Sequence, residues 1–192
     1  MARRLAAEHA QRGQGYLSAP VFGRPEAAQS RKLIVVAAGP GELMELCRPL
    51  FDAIGRQTSV AGSEPWQANA VKLCGNFMLA SMIEAFGEAF ATLRKADVDP
   101  HVFLDIVNSL FASPVYGNYG PIIADERFFP AGFALKLGLK DMRLALETAE
   151  ECGAPMPLAS LIRDHFLSAM AHGQAELDWS SMAQVPARNA GL

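Results

Sequence analysis

Residues 63–94 read SEPWQANAVKLCGNFMLASMIEAFGEAFATLR, and the rest of the chain is organised around this stretch. Its composition predicts one helix. Ser63 is a good N-cap, and Pro65 falls in the first turn, where its missing N–H leaves no bond unmade. No proline follows until Pro100. A helix of this length is a rod of about 45 Å. That is long for a small globular protein and suggests a spine shared by two bodies or two subunits.

The rod is apolar on most of its surface. Val71, Leu73, Phe77, Met78, Leu79, Met82, Ile83, Phe86, Phe90 and Leu93 go nearly all the way round, so the helix is expected to be buried. Lys72, Asn76, Glu84, Glu88 and Arg94 argue against a membrane span. Asn69, Lys72 and Asn76 are spaced three and four apart and form one polar stripe near the start of the helix. Two readings are open at this point. Lys72 is a snorkelling lysine at a wet helix end, or it belongs to a functional polar site.

The spacing of Gly62, Lys72 and Asn76, G-x9-K-x3-N, resembles the catalytic signature of the β-hydroxyacid dehydrogenase family. That family includes 3-hydroxyisobutyrate dehydrogenase, tartronate semialdehyde reductase and the glyoxylate/succinic semialdehyde reductases. Upstream, Tyr16-Leu17-Ser18-Ala19-Pro20-Val21 resembles the family's Y-x-D-A-P-V strand, with Ser18 in place of the usual acid. Downstream, Phe133 and Lys140-Asp141 resemble its F-x6-K-D motif. The motifs come in the family's order and span nearly the whole chain.

The resemblance implies an α/β remnant plus an all-α part. Residues 1–62 are expected to be the C-terminal part of a Rossmann NAD(P)-binding domain. Residues 63–192 are expected to be an all-helical substrate and dimerisation domain, like the C-terminal domain of 6-phosphogluconate dehydrogenase. The function implied is an NAD(P)-dependent oxidoreductase that moves a hydride between nicotinamide and a small hydroxy acid or semialdehyde. Lys72 is then the general acid/base, since a lysine beside the reacting oxygen can supply or take its proton. Asn76 is the orienting or substrate-binding partner. Phe22, Gly23 and Arg24 stand where the family usually has S-G-G for the substrate carboxylate. The hydroxyl is lost, one glycine is kept, and Arg24 is either a new carboxylate partner or a surface residue. Phe133 and Lys140 are the implied cofactor contacts, to NADP or NAD. The other function class is a non-catalytic helical dimerisation module.

The G-x-G-x-x-G turn that opens a Rossmann domain does not occur in these residues. This predicts weak or no NAD(P)H binding by the 192 residues alone. A truncated gene, a misassigned start and a fragment are all open as explanations.

Composition narrows the field. A net charge of −3 provides no basic field for nucleic acid. Cys47, Cys74 and Cys152 form no CxxC, and the four histidines are scattered, so no metal site is expected. Reduced thiols fit a cytoplasmic protein. The N-terminus has no apolar signal region and reads as a helix ending at Gly13 or Gly15.

From Tyr16 to Gly62 the pattern is α/β. Strands are expected at Tyr16 to Val21, Lys32 to Ala38 and Gln57 to Val60. A helix from Glu42 to Ile54 is expected to be kinked or divided by Pro49 and capped by Gly55. After the long helix, helices are expected from Pro100 to Phe111, Ala134 to Cys152 and Leu158 to Ala171. Ser113 to Pro121 reads as a loop, Asp178 to Met182 as a single turn, and the tail from Pro186 as frayed. Trp66 and Trp179 read as packing residues, and Glu84 with Glu88 as a solvated or interface strip. The apolar surface of Phe77, Met82, Phe86, Phe90 and Leu93 predicts a homodimer through the helical part.

Overall fold

The computed structural model describes residues 1–192. The chain forms two compact units, Met1–Gly75 and Asn76–Leu192. The first contains helix α1 (Ala2–Ala10), strand β1 (Val21–Phe22), α2 (Pro25–Gln29), β2 (Leu33–Ala38), α3 (Gly41–Ile54), β3 (Gly55–Gly62) and the start of α4 (Pro65–Lys95).

The apolar run LIVVAA makes β2 the middle strand of a three-stranded sheet, β1-β2-β3. It pairs antiparallel with β1, with Val21 opposite Val35, and parallel with β3, with Val36 opposite Ser59. Alternate side chains go to opposite faces. Val35 and Ala37 pack with Met44 and Phe51 of α3, while Val36 and Ala38 pack with Ala68 of α4. A strand covered on both faces has to be apolar throughout, and β2 is.

Several expectations need correction here. The first strand shrinks to Val21–Phe22, with an isolated bridge from Ser18 to Ala38. Pro20 interrupts it because proline has no N–H to give to the ladder. Its carbonyl still accepts from Val36 N–H at 2.9 Å. Helix α3 is continuous through Pro49. Both Pro49 and Glu45, whose carbonyl the proline leaves unpaired, are exposed, so water can satisfy it. Gly55 stands at the C-cap of α3, its N–H donating to the Phe51 carbonyl, and its extended backbone (φ −123°) begins β3 at the same residue. Helix α1 stops at Ala10, earlier than either glycine. Trp66 is half-buried, with the Arg3 guanidinium 4.5 Å above its ring.

The second unit is helical. It holds the rest of α4, then α5 (Pro100–Phe111), α6 (Pro114–Ala124), α7 (Leu135–Glu151), α8 (Pro157–Ala171), a 3₁₀ turn (Trp179–Ala183) and α9 (Gln184–Asn189). Asp99 caps α5 by accepting from His101 N–H at 2.9 Å. Met82, Ile83, Phe86 and Phe90 of α4 enter one core with Met142 of α7, Ile162 and Phe166 of α8, and Trp179. Each such large apolar side chain contributes about 2 kcal/mol of transfer free energy. The contact between α4 and the 3₁₀ turn is close. A Cβ on Gly87 would stand 2.8 Å from Ala183 Cα.

Ser113 to Pro121 is helix rather than loop. Pro114 occupies the first turn, and Ser113 Oγ accepts from Val115 N–H at 3.3 Å. Burial of Tyr119, Gly120 and Ile123 outweighs the poor propensity of the glycines. The tail also orders into α9, because Val185 and Ala187 are buried. Glu84 is buried and not part of a solvated strip. Its carboxylate lies 2.8 Å from His165 Nδ1 of α8, while Glu88 is exposed. Met82, Phe86 and Phe90 are buried within this one chain, and Phe77 and Leu93 are half-buried, so most of the apolar surface of these five is covered without a partner. Exposed apolar side chains remain on α4 at Val71 and Met78, and α5 exposes Val102, Ile106 and Leu110, one face of the helix at a spacing of four. No helix is long and apolar enough to cross a membrane.

Candidate active site

In the first unit the polar stripe of α4 meets the β1 segment. Lys72 is half-buried, and its Nζ donates to the Val21 carbonyl at 2.7 Å. The same ammonium sits 4.1 Å from the centre of the Phe22 ring. The ring fits because Gly75 presents no side chain to it. A Cβ there would stand 2.6 Å from the ring's Cε1. One turn before Lys72, Asn69 Nδ2 donates to Ser18 Oγ at 3.2 Å. Ser18 thus ties its strand segment to the stripe as a neutral group where the family motif has an acid.

Gly23 follows Phe22 with φ +143°, a conformation that favours glycine, and a Cβ there would meet Leu33 Cδ2 at 2.6 Å. Arg24 is half-buried and sits at the N-cap position of α2. The structure therefore brings Phe22 and Lys72 together and fixes the backbone between Phe22 and Arg24.

In the second unit Asn76 is buried and donates from Nδ2 to Asp141 Oδ2 at 2.6 Å. The other oxygen of Asp141 lies 2.9 Å from Lys140 Nζ. Asp141, itself buried, therefore connects Asn76 of α4 to Lys140 of α7. Asp141 stands in the K-D motif, and the sequence alone assigns it no role. Its adjacency to Lys140 was the signal available. Lys140 is largely exposed, and a lysine has three N–H donors, so one carboxylate partner leaves donors for an anion. Phe133 belongs to a different cluster. It is half-buried and edge-on to Trp179, centroids 5.1 Å apart and planes at 78°.

No group of three or more histidines, cysteines, aspartates or glutamates is placed to hold a metal ion.

A family model described as NAD-binding of NADP-dependent 3-hydroxyisobutyrate dehydrogenase matches residues 67–186. A model described as the NAD binding domain of 6-phosphogluconate dehydrogenase matches residues 1–62. The chain is 45% identical to the uncharacterized oxidoreductase YfjR of Bacillus subtilis (strain 168), over 93% of this chain and 63% of that protein. It is 30% identical to glyoxylate/succinic semialdehyde reductase 1 of Arabidopsis thaliana, over 90% of this chain and 60% of that protein. Among solved structures it is similar to a 3-hydroxyisobutyrate dehydrogenase from Salmonella typhimurium, with a TM-score of 0.86 and 25% identity. That match covers 96% of this chain and 65% of the other. The chain thus spans 63% and 60% of the length of these two curated relatives.

Proposed function

We propose a function from one premise: the chain belongs to the β-hydroxyacid dehydrogenase family. The reading is an NADP- or NAD-dependent oxidoreductase acting on a small hydroxy acid or semialdehyde, the substrate classes named for its relatives. In this family NAD(P), when bound, supplies the hydride donor or acceptor. Everything else is the work of side chains.

The observation that carries the reading is the setting of Lys72. A lysine head that donates to a carbonyl and rests on an aromatic face is held at a fixed place instead of moving freely in water. Its Nζ gives a proton to a carbonyl oxygen during reduction and takes one from a hydroxyl during oxidation. Three N–H donors let it keep the Val21 carbonyl while it meets a substrate oxygen. Asn76, one turn on, has its Nδ2 committed to Asp141, so its Oδ1 is the acceptor offered to a substrate hydroxyl. Phe22 walls the substrate, Gly23 allows the backbone turn beside it, and Arg24 pairs with a substrate carboxylate. Lys140 and Phe133 hold the cofactor, Lys140 by charge and Phe133 by its ring. An exposed ammonium with donors to spare fits a phosphate or a ribose hydroxyl.

The chain's own division of labour is an α/β portion, residues 1–62, followed by a helical portion that binds substrate and forms a homodimer. The exposed stripe of α5 supports the dimer. Three free cysteines fit a cytoplasmic setting.

The test is a hydride-transfer assay that follows nicotinamide absorbance. It uses the protein from the longest reading frame containing these residues, with a panel of small hydroxy acids and semialdehydes. Turnover on at least one, lost in Lys72→Ala, is the expected result. No turnover on any panel member with either NADH/NAD or NADPH/NADP overturns the reading.

A further inference from the structure

We propose that Asp178, and the strap it anchors, set the position of Phe133. This rests on the reading that Phe133 meets the cofactor.

Asp178 lies just before the 3₁₀ turn and is 1% exposed. Its two oxygens have separate duties. Oδ1 accepts from the Ser180 N–H at 3.1 Å and the Ser180 hydroxyl at 2.7 Å. Oδ2 accepts from the Gly132 N–H at 3.0 Å and the Phe133 N–H at 3.3 Å. The backbone repeats the link. Trp179 N–H donates to the Phe133 carbonyl at 2.8 Å, Asp178 N–H to the Phe128 carbonyl at 2.9 Å, and Leu135 N–H to the Leu177 carbonyl at 2.8 Å. The Trp179 indole completes the arrangement. It lies edge-on to the Phe133 ring, and its own Nε1 donates to Tyr119 Oη at 2.9 Å.

Phe133 is therefore held by its N–H, its carbonyl and its ring, all from one short segment. Capping a 3₁₀ turn needs one acceptor near the turn's own N–H groups. The second oxygen of Asp178 is directed instead to amides 46 and 45 residues away in sequence. A carboxylate is costly to bury unless its hydrogen bonds are made, and these are. Fixing the segment 132–133 is what the buried charge does beyond ending a loop. An aromatic contact whose backbone is fixed in this way loses little freedom when a ligand stacks on it, so the fixing shows up in ligand affinity. Asp178 is a positioning residue, since it acts through Phe133.

The first readout is amide hydrogen exchange on the 192-residue chain. In Asp178→Asn, exchange at Gly132 and Phe133 is expected to rise about tenfold, the effect of losing a hydrogen bond to a charged acceptor, while α7 and α8 amides stay protected. Ser180→Ala, which removes one of the two bonds to Oδ1 and leaves the Ser180 N–H donating, is expected to act in the same direction and less. It carries the test if Asp178→Asn does not fold. The second readout is kinetic, on the protein from the longest reading frame. The cofactor KM is expected to rise while kcat changes little. Unchanged exchange at Gly132 and Phe133 in a folded variant overturns the proposal, as does a fall in kcat at constant KM. Phe133→Ala separates the two layers. A cofactor KM unaffected by that change removes the premise about Phe133, and the proposal with it, whatever the exchange data show.

Discussion

Gly75 and the Phe22 ring are so close that a methyl group on Gly75 would stand 2.6 Å from the ring's Cε1. Two effects then oppose each other in Gly75→Ala. Alanine is better than glycine inside a helix by about 1 kcal/mol. Displacing a packed ring costs about 1–3 kcal/mol. The substitution is expected to destabilise the chain by on the order of 1 kcal/mol. In a Phe22→Ala background the same change is expected to stabilise it by about 1 kcal/mol. A double-mutant cycle in urea measures the coupling. The same sign in both backgrounds would show that the ring does not depend on this glycine.

Lys72→Ala is expected to lower kcat by at least ~10²-fold, the scale of losing a general acid/base. The fold should survive, because the side chain is only half-buried and lies outside the apolar clusters of either unit. Circular dichroism checks the fold and steady-state kinetics the rate. Near-normal turnover would make Lys72 a packing lysine.

Much of this arrangement was legible in the sequence, and the illegible parts share a cause. The long helix and β2 could be read because their signals are local: a capped, proline-free apolar run and an unbroken string of Leu, Ile, Val and Ala. Helix α6 could not, because Gly117, Gly120 and Pro121 are local breakers. What stabilises it is non-local, such as the buried contact of Tyr119 with Trp179. Site chemistry divides in the same way. The spacing of Lys72 and Asn76 lies on one helix and is visible in the string. The partner that orients Asn76, Asp141, is 65 residues away, so only the fold shows their contact. Glu84 reads as one of two acids four apart, and nothing in the sequence says that α8 covers it.

Glu84 should make stability fall with rising pH. Burial holds its carboxyl above the ordinary carboxylate range, more than the contact with His165 pulls it down, and the neighbouring Glu88 pushes it the same way as burial. The native state therefore keeps the proton at pH values where the unfolded chain has released it. By linkage, stability is greatest below the unfolded value of 4.5 and declines as pH rises through the higher native pKa. Glu84→Gln removes the ionisation, so that slope should vanish and the variant should gain stability over its parent near neutral pH. Urea midpoints of both proteins across the acid-to-neutral range decide it. A difference between parent and variant that does not fall with rising pH would contradict the raised carboxyl.

Static light scattering at micromolar concentration is expected to give twice the 20.6 kDa chain mass. Replacing Ile106 and Leu110 by lysine should return it to one chain mass. Both side chains are exposed, at 54% and 72%, so folding of the monomer should be spared. A monomer before any substitution would end the dimer proposal.

The close approach of Gly87 to Ala183 bears on how the helical unit folds. Its helices are individually fast to form, since helix–coil relaxation takes on the order of a microsecond. The core they enclose is not local. Trp179, at its centre, bonds to Tyr119 from 60 residues away, and Ala183 must return against α4, which precedes both α5 and α6. Ordering that much intervening chain carries an entropy cost before the contact rewards it. The pairs α5–α6 and α7–α8, adjacent in sequence, can form early, and the return of Ala183 to α4 is expected to be the late step. During synthesis the part of the core that Trp179, Met182 and Ala183 complete would stay uncovered until residue 183 emerges, leaving the apolar face of α4 exposed to chaperones for that interval.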